Sequence, residues 1–419
     1  MDLRTLFRRE PQPERWGATL PLEMRQGAVR RLDEAVRGWF AHWEAVPGLD
    51  YHAAVDDFRR DALSGDGRRE FALAALAFLA KLRNGHTGYD DAWVHEHHGA
   101  PLPFGLRPLD GRWTVTWSRT DGLRPGDEVR EIDGEPFGEF YGRHSRFIPA
   151  SCERAAQRLL AGFAFLFPER FTLTLACGGE VPVVRQRPAE DAPASSVSPA
   201  ASPASSSPDD AVPHRWIEEG RVGYMRIPSF DQPKYQERAL DLLAGTFRGA
   251  PVLVVDLRGN GGGNTPWKLR KALMGGRRFR DAIPGPDLVP PPLADRILGP
   301  VLVRTARVPL FRGALVMLAD GGTASAAEDL LIPLKDSGRA TLVGDTTFGS
   351  TGQPHFLSFG DGITARIGAR RVRFPDGSPF EGVGIAPHVF ARVTPESLRE
   401  ARDVVLPCAL DLISGGLPA

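Results

Sequence analysis

The sequence predicts an α/β protein made of several packed units, and three observations carry that expectation. The chain has 419 residues, more than one ordinary core holds. Its first hundred residues place apolar side chains at helical spacing, whereas residues 101–187 show short alternating runs. From residue 214 onward, strand-like and helix-like stretches alternate, which is the pattern of an α/β core.

Taken in order, Val29, Leu32, Val36, Trp39 and Phe40 recur at three- and four-residue intervals. Leu73, Leu76, Leu79 and Leu82 continue the pattern beyond the turn-forming Ser64-Gly65-Asp66-Gly67. Residues 1–98 are therefore expected to form a helical domain. Residues 99–187 are expected to form a β domain, with Trp113–Trp117 and Phe171–Leu175 alternating as strands and Val129 and Ile132 anchoring another. Residues 188–213 are mostly Ala, Ser, Pro and Asp, which bury too little apolar surface to offset their ordering entropy. A disordered linker or exposed loop is expected there.

Residues 214–419 should form the α/β core. Val222–Ile227 reads as a strand, Gln236–Phe247 as a helix, and Val252–Asp256 and Ala314–Ala319 as buried strands. Ala326–Lys335 reads as a helix closed by Gly338, with Pro333 able to kink it. Strands at Ala340–Val343 and Ile363–Ile367 follow.

Composition narrows the functional classes. Lys plus Arg and Asp plus Glu both number 52, so no basic field points to nucleic acid. No window approaches the roughly 20 apolar residues of a membrane span, and the N-terminus lacks a signal-like apolar core. A cytoplasmic protein with neither nucleic-acid nor membrane partner is expected. Cys152, Cys177 and Cys408 fit neither a disulfide framework nor a zinc motif, and each is expected to be buried. His95-Glu96-His97-His98 lacks zincin pairing and is expected to be an exposed polar turn. No metal or cofactor is expected. His355 and His388 are expected at the surface, with His355 near enough to the chemistry to line a subsite, and Arg258 is expected to be structural.

Ser325, in Gly-Gly-Thr-Ala-Ser-Ala-Ala-Glu, lies between a buried strand and a helix start. Free amides and the helix dipole favour negative charge there, which suits a nucleophile whose oxyanion is held by the Ala326 amide. The competing reading is an ordinary N-cap that Glu328 completes as a capping box. A second stretch, Asp256-Leu257-Arg258-Gly259-Asn260-Gly261-Gly262-Gly263, follows a buried strand and lacks P-loop or dinucleotide spacing. An oxyanion loop using the Gly262 or Gly261 amide is the reading that remains.

Gly122-Leu123-Arg124-Pro125-Gly126-Asp127-Glu128-Val129-Arg130-Glu131-Ile132-Asp133-Gly134 resembles a PDZ signature. That resemblance implies peptide binding by strand addition, with Phe104, Gly105 and Leu106 at the carboxylate-binding position. The glycine loop at Asp256–Gly263, Thr323–Glu328, Gly338–Gly344, Phe348-Gly349 and Gly382–Pro387 together resemble the tail-specific, or C-terminal-processing, protease family, which includes the tricorn protease. The resemblance implies a crotonase-like catalytic core and serine peptidase activity on protein or peptide substrates. It also implies, by analogy, self-assembly.

In the C-terminal-processing branch a lysine base lies 25 residues after the nucleophile. This chain has Ser350 there, and Lys335 is a poor substitute. The tricorn-like branch implies a histidine and a glutamate, which match His86 in Asn84-Gly85-His86-Thr87-Gly88 and Glu381 in Phe380-Glu381-Gly382-Val383-Gly384. The serine that joins them in that branch would precede the histidine, where this chain has Gly85. Thr87, Ser350 and Thr351 are the substitutes available. With His86 as base, kcat/KM should fall on acidification through roughly pH 6 to 7. The alternative is a non-catalytic protein of the same fold that binds a peptide or apolar ligand. A crotonase-type acyl-CoA enzyme fits less well, because of the PDZ-like insert and the serine at a helix start.

Overall fold

The computed structural model describes residues 16–185, 210–277, 280, 282–284 and 307–416. Helices α1 (Leu22–Trp39), α2 (Tyr51–Leu63) and α3 (Arg68–Ala80) bring the predicted apolar stripes together. Asp50 caps α2 by accepting from the Ala53 amide at 3.0 Å, and Phe58 stacks on Phe78 with ring centroids 4.8 Å apart. The chain then enters strand β1 (Gly88–Asp91), which pairs antiparallel with residues 363–366, far along the sequence. Arg68 is completely buried and fastens this junction through Asp91 and Asp361. Removing one partner would leave a buried charge unpaired, at a cost of roughly 3–5 kcal/mol.

His95–His98 are not a turn. They end helix α4 (Ala92–His98), which forms because Asp91 accepts from the Trp93 and Val94 amides as its N-cap. Then come the hairpin β2 (Phe104–Leu109) and β3 (Arg112–Ser118), β4 (Val129–Ile132), β5 (Glu135–Pro136), helices α5 (Phe137–His144) and α6 (Glu153–Leu159), β6 (Arg170–Leu175) and β7 (Glu180–Val184). Strands β4–β7 make a four-stranded sheet in the order β5-β4-β6-β7. One apolar cluster runs from Leu20 to Val183 and includes Ile363, Ala365 and Ile367. The 98/99 boundary therefore falls inside a shared core.

Residues 188–209 of the expected linker lie outside the described residues. Residues 210–213 are fixed, because Asp210 pairs with Arg238 at 2.8 Å and Val212 is fully buried.

The remaining elements are β8 (His214–Glu218), β9 (Val222–Arg226), α7 (Pro233–Ala244), β10 (Val252–Asp256), α8 (Trp267–Leu273), β11 (Ile283–Pro284), β12 (Ala314–Ala319), α9 (Ala326–Asp336), β13 (Thr341–Gly344), β14 (Pro354–Gly360), β15 (Ile363–Gly368), β16 (Val372–Arg373), β17 (Val389–Phe390), α10 (Pro395–Arg399) and α11 (Val405–Ser414). Six of these strands form a mixed sheet in the order β17-β13-β12-β10-β9-β8, parallel throughout except for β8. Both faces are covered, as the continuous apolar runs require. Leu253, Val255 and Met317 meet Leu242, Leu273 and Leu330 on one face. Val254, Val316 and Leu318 meet Val405, Leu406 and Ala409 on the other. Truncating Leu330 to alanine would cost about 2–5 kcal/mol.

Three expectations shift in detail. Helix α7 begins at Pro233 rather than Gln236, since proline suits a first helical turn, and stops before Gly245. Strand β15 leaves the large sheet and lies between β1 and β14, which is how the N-terminal segment reaches the core. The cysteines are not core residues: Cys177 is exposed at the β6–β7 turn, while Cys152 and Cys408 are half-buried. Among the described residues, no helix is long and apolar enough to cross a membrane.

Candidate active site

Strand β12 delivers the chain to Asp320, whose carboxylate accepts from the Gly259 and Gly322 amides at 2.9 Å each. This ties the glycine loop to the turn before α9. Ser325 follows with φ +53° and ψ −120°, a region that non-glycine residues occupy only when their surroundings impose it. Its amide donates to Ser350 O and to Glu328 Oε2, both at 3.0 Å. The Glu328 amide donates to the Ser325 carbonyl at 2.8 Å. That hydroxyl lies 3.1 Å from His86 Nε2.

On its far side the His86 ring continues the chain. Nδ1 is 2.8 Å from Ser350 Oγ, and Ser350 Oγ is 2.8 Å from Glu381 Oε1. Proton counting sets the directions. The single Ser350 proton goes to the carboxylate, so Ser350 accepts from His86 Nδ1–H, and Nε2 is left bare to accept from Ser325. Of the three substitutes for the linking serine, Ser350 makes the link. Thr351 Oγ1 donates to Asp329 Oδ1 at 2.7 Å, and Thr87 Oγ1 donates to Asn84 Oδ1 at 3.1 Å. Ser350 occupies the space that a side chain at position 85 would take. A β-carbon on Gly85 would lie 2.8 Å from Ser350 Oγ and 3.0 Å from its β-carbon.

Two further residues hold Glu381, and neither was picked out from the sequence as a site residue. Asn84 Nδ2 donates to Oε1 at 2.8 Å, and Ser151 Oγ donates to the same oxygen while accepting from the Gly85 amide at 2.9 Å. Asn84 stood beside His86 in a segment already singled out, whereas Ser151 carried no signal. Glu381 Oε1 is thus saturated with donors, while Oε2 is buried without one among the described residues. Burial lifts this carboxyl to about 7, against the lowering effect of its Ser151, Ser350 and Gly85 bonds. Burial also lowers His86 to about 4, with Arg366 and His42 acting in the same direction. The His86 imidazole therefore stays neutral well below the pH 6–7 expected of an unperturbed ring.

Glu328 is completely buried and spans both parts of the site. One oxygen accepts from the Ser325 and Ser350 amides (3.0 and 3.2 Å), the other from the Gly349 amide and the Thr347 hydroxyl (2.8 and 2.5 Å). Burial lifts it to about 8 in spite of these four donors. The capping-box glutamate is a brace between Ser325 and Ser350.

The glycine loop expected to hold an oxyanion lies against Ser325, and one of its amides is already taken. The Gly262 amide donates to Asn260 Oδ1 at 2.9 Å and is not free. The amides of Gly261 and Ala326 take no hydrogen-bond partner among the described residues. Gly262 is needed for close approach instead: its φ is +100°, and a β-carbon there would sit 2.6 Å from that of Ser325. A second correction concerns Phe104, Gly105 and Leu106, which form no open loop. They start β2, paired with Ser118, Trp117 and Val115, and the Phe104 and Leu106 side chains are buried. Arg258 is structural, clasped by Asp256 and Asp403. His388 is exposed, and His355 is half-buried, stacked on Trp39.

Residues 221–278 and 293–390 match the family described as Peptidase family S41. The chain is 26% identical over 316 residues to the carboxyl-terminal-processing protease of Synechocystis sp., covering 71% of this chain and 62% of that protein. It is 26% identical over 433 residues to putative tricorn protease homolog 2 of Streptomyces coelicolor, covering 92% of this chain and 32% of that protein. The chain thus spans less than two thirds of the length of either relative. Among solved structures, mature CPAF is similar with a TM-score of 0.68 at 16% identity, covering 94% of this chain and 96% of that one. A putative peptidase from Parabacteroides merdae reaches a TM-score of 0.52 at 14% identity, over 95% of this chain and 100% of that one. At these identities the structural likeness is one of fold.

Proposed function

Because residues 221–278 and 293–390 match peptidase family S41, we propose that the chain is a serine peptidase that cleaves protein or peptide substrates through an acyl-enzyme. The observation that carries the reading is the unbroken chain Ser325–His86–Ser350–Glu381, with every contact at 3.1 Å or less. Ser325 Oγ attacks the scissile carbonyl while His86 Nε2 takes its proton. The resulting imidazolium keeps its Nδ1–H on Ser350, whose hydroxyl passes the Glu381 charge inward. The Ala326 and Gly261 amides receive the oxyanion. His86 then protonates the leaving amine, and water activated by the same nitrogen releases the acyl group.

In the finer reading, the six-stranded core is crotonase-like and residues 99–187 are PDZ-like. Among the described residues strand β2 pairs only with β3, and α6 packs beside it, an arrangement suited to peptide addition at the strand edge. Trimming of protein C-termini belongs to the same reading. A quenched casein or peptide substrate, assayed with wild type and S325A, tests the function. Cleavage by wild type alone, with a serine-directed phosphonate labelling Ser325, is the expected result; wild type that neither cleaves nor is labelled refutes it.

A further inference from the structure

Strand β15 lies between β1 and β14, and its two faces differ. Ile363, Ala365 and Ile367 are buried in the apolar cluster that includes α1, whereas Thr364 and Arg366 are exposed on the opposite face. Arg366 is paired across the sheet with Gly88 on β1 and with Phe356 on β14, so these three share the exposed face. Phe356 is 70% exposed, a bare ring beside a charged residue. The Arg366 side chain leans toward β1: a β-carbon on Gly88 would lie 3.2 Å from its guanidinium carbon and from Nη2. The guanidinium thus rests against the bare backbone of Gly88, two residues beyond His86.

Its charge is felt at the imidazole, where it is the next cause after burial of the lowered His86 pKa. Among the described residues the guanidinium makes no ion pair, hydrogen bond or ring contact. Asp90, on the same face of β1, attracts it from a distance but is already engaged by His95 at 2.9 Å. Surrounding protein lowers the Arg366 pKa, with Asp90 opposing, yet the residue is exposed to solvent. Those two properties together describe a charge in an open cleft, partly stripped of water and lacking a partner. On the peptidase reading, His86 Nε2 must stand beside the leaving amine to protonate it. The residues after the scissile bond then leave the site past the imidazole, on the Arg366 side. An acidic side chain there gains a charge-assisted partner. It also cancels the charge that disfavours imidazolium, so the base strengthens when such a substrate is in place.

We propose that Arg366 is a specificity residue that binds an acidic side chain of the substrate at one of the first positions on the leaving-group side of the scissile bond. A peptide library with both termini blocked is digested by the full chain, and the new ends are read by mass spectrometry, competing peptides giving relative kcat/KM. Wild type should favour Asp and Glu over Asn and Gln at one position after the cut, by about 5- to 30-fold. R366M and R366Q should bring that ratio close to one, and R366E should favour Lys and Arg at the same position. A ratio taken within each variant is free of any common effect of the altered charge on His86. Phosphonate labelling of Ser325 in each variant shows that the catalytic site remains assembled. Equal cleavage of acidic and neutral peptides by wild type overturns the proposal. So does a preference that survives in R366M and R366E, which would leave Arg366 acting through His86 alone. A preference that appears only when the C-termini are left free assigns the carboxylate to the chain end and overturns the side-chain subsite. Wild type that cleaves no peptide refutes the peptidase reading itself, and the subsite with it.

Discussion

The proposed nucleophile and the proposed base are built into the site in opposite ways. Ser325, its helix and Glu328 come from one short stretch, a strand–turn–helix in which Ser325 takes a strained positive φ. His86 with Asn84, Ser151, Ser350 and Glu381 come from four separate segments, and the pairing of β1 with β15 holds the His86 segment beside the core. The first side is maintained by local structure. The second depends on long-range packing, and its contacts are the ones most open to disruption. Glu328 is where the two sides join.

The largest effects should not distinguish them. S325A and H86A should each lower kcat by about 10⁴- to 10⁶-fold, with the double variant no worse, because the two act as a unit. Steady-state kinetics of the three variants checks this, and additive losses would separate serine from histidine. Next in size, S350A should cost about 10²- to 10⁴-fold in kcat with little change in KM, since the imidazole loses its Nδ1 acceptor. T351V should stay within a few-fold in the same assay. G85A should resemble S350A, because the added β-carbon meets the Ser350 hydroxyl.

E328Q strikes the brace. Its amide nitrogen must face at least one of the four donors now satisfied by the carboxylate. A loss of about 1–3 kcal/mol in stability is expected, together with lower kcat, since an unpaired buried donor costs that much. Denaturant midpoints and kcat measured together check it. A variant that lost stability but kept kcat would show that Glu328 does not hold the catalytic geometry.

The pH responses are smaller and separate the two buried acids from the base. His86, lowered from 6.5 to about 4, puts the acid limb of kcat/KM near pH 4. Glu381 ionises only near pH 7, so activity should rise again through that range, and E381Q should abolish the upper rise alone. Stability responds with the opposite sign for the acid. The folded chain holds the Glu381 proton between about 4.5 and 7, where the unfolded chain has lost it, so stability falls as pH rises through that window. His86 does the reverse between about 4 and 6.5, where the unfolded chain binds the extra proton. Above pH 6.5 only the fall remains, carried by Glu381 to about 7 and by Glu328 to about 8. Urea unfolding of wild type and E381Q across this range checks the slope.

What the sequence made legible follows the same division. Buried strands β10 and β12, the turn into α9 and the glycine loop were visible because apolar runs and small residues encode them locally. His86 and Glu381 were reachable only through resemblance, and Ser350 was one of three open choices. Nothing in the primary structure says that β1 crosses to β15, so the hydroxyl that joins base to acid and the grip of Ser151 had no local signature. Gly262 misled for a related reason: a glycine in an anion-binding turn looks like a donor, but Asn260 takes its amide.

The central claim is that Ser350 fixes His86 as the Nδ1–H tautomer with a bare Nε2 toward Ser325. Nitrogen NMR of the imidazole, with S350A for comparison, measures this directly. At pH 7 the wild-type ring should be neutral, protonated at Nδ1 alone, and S350A should lose that preference. A ring protonated at Nε2, or an imidazolium at pH 7, would contradict the account.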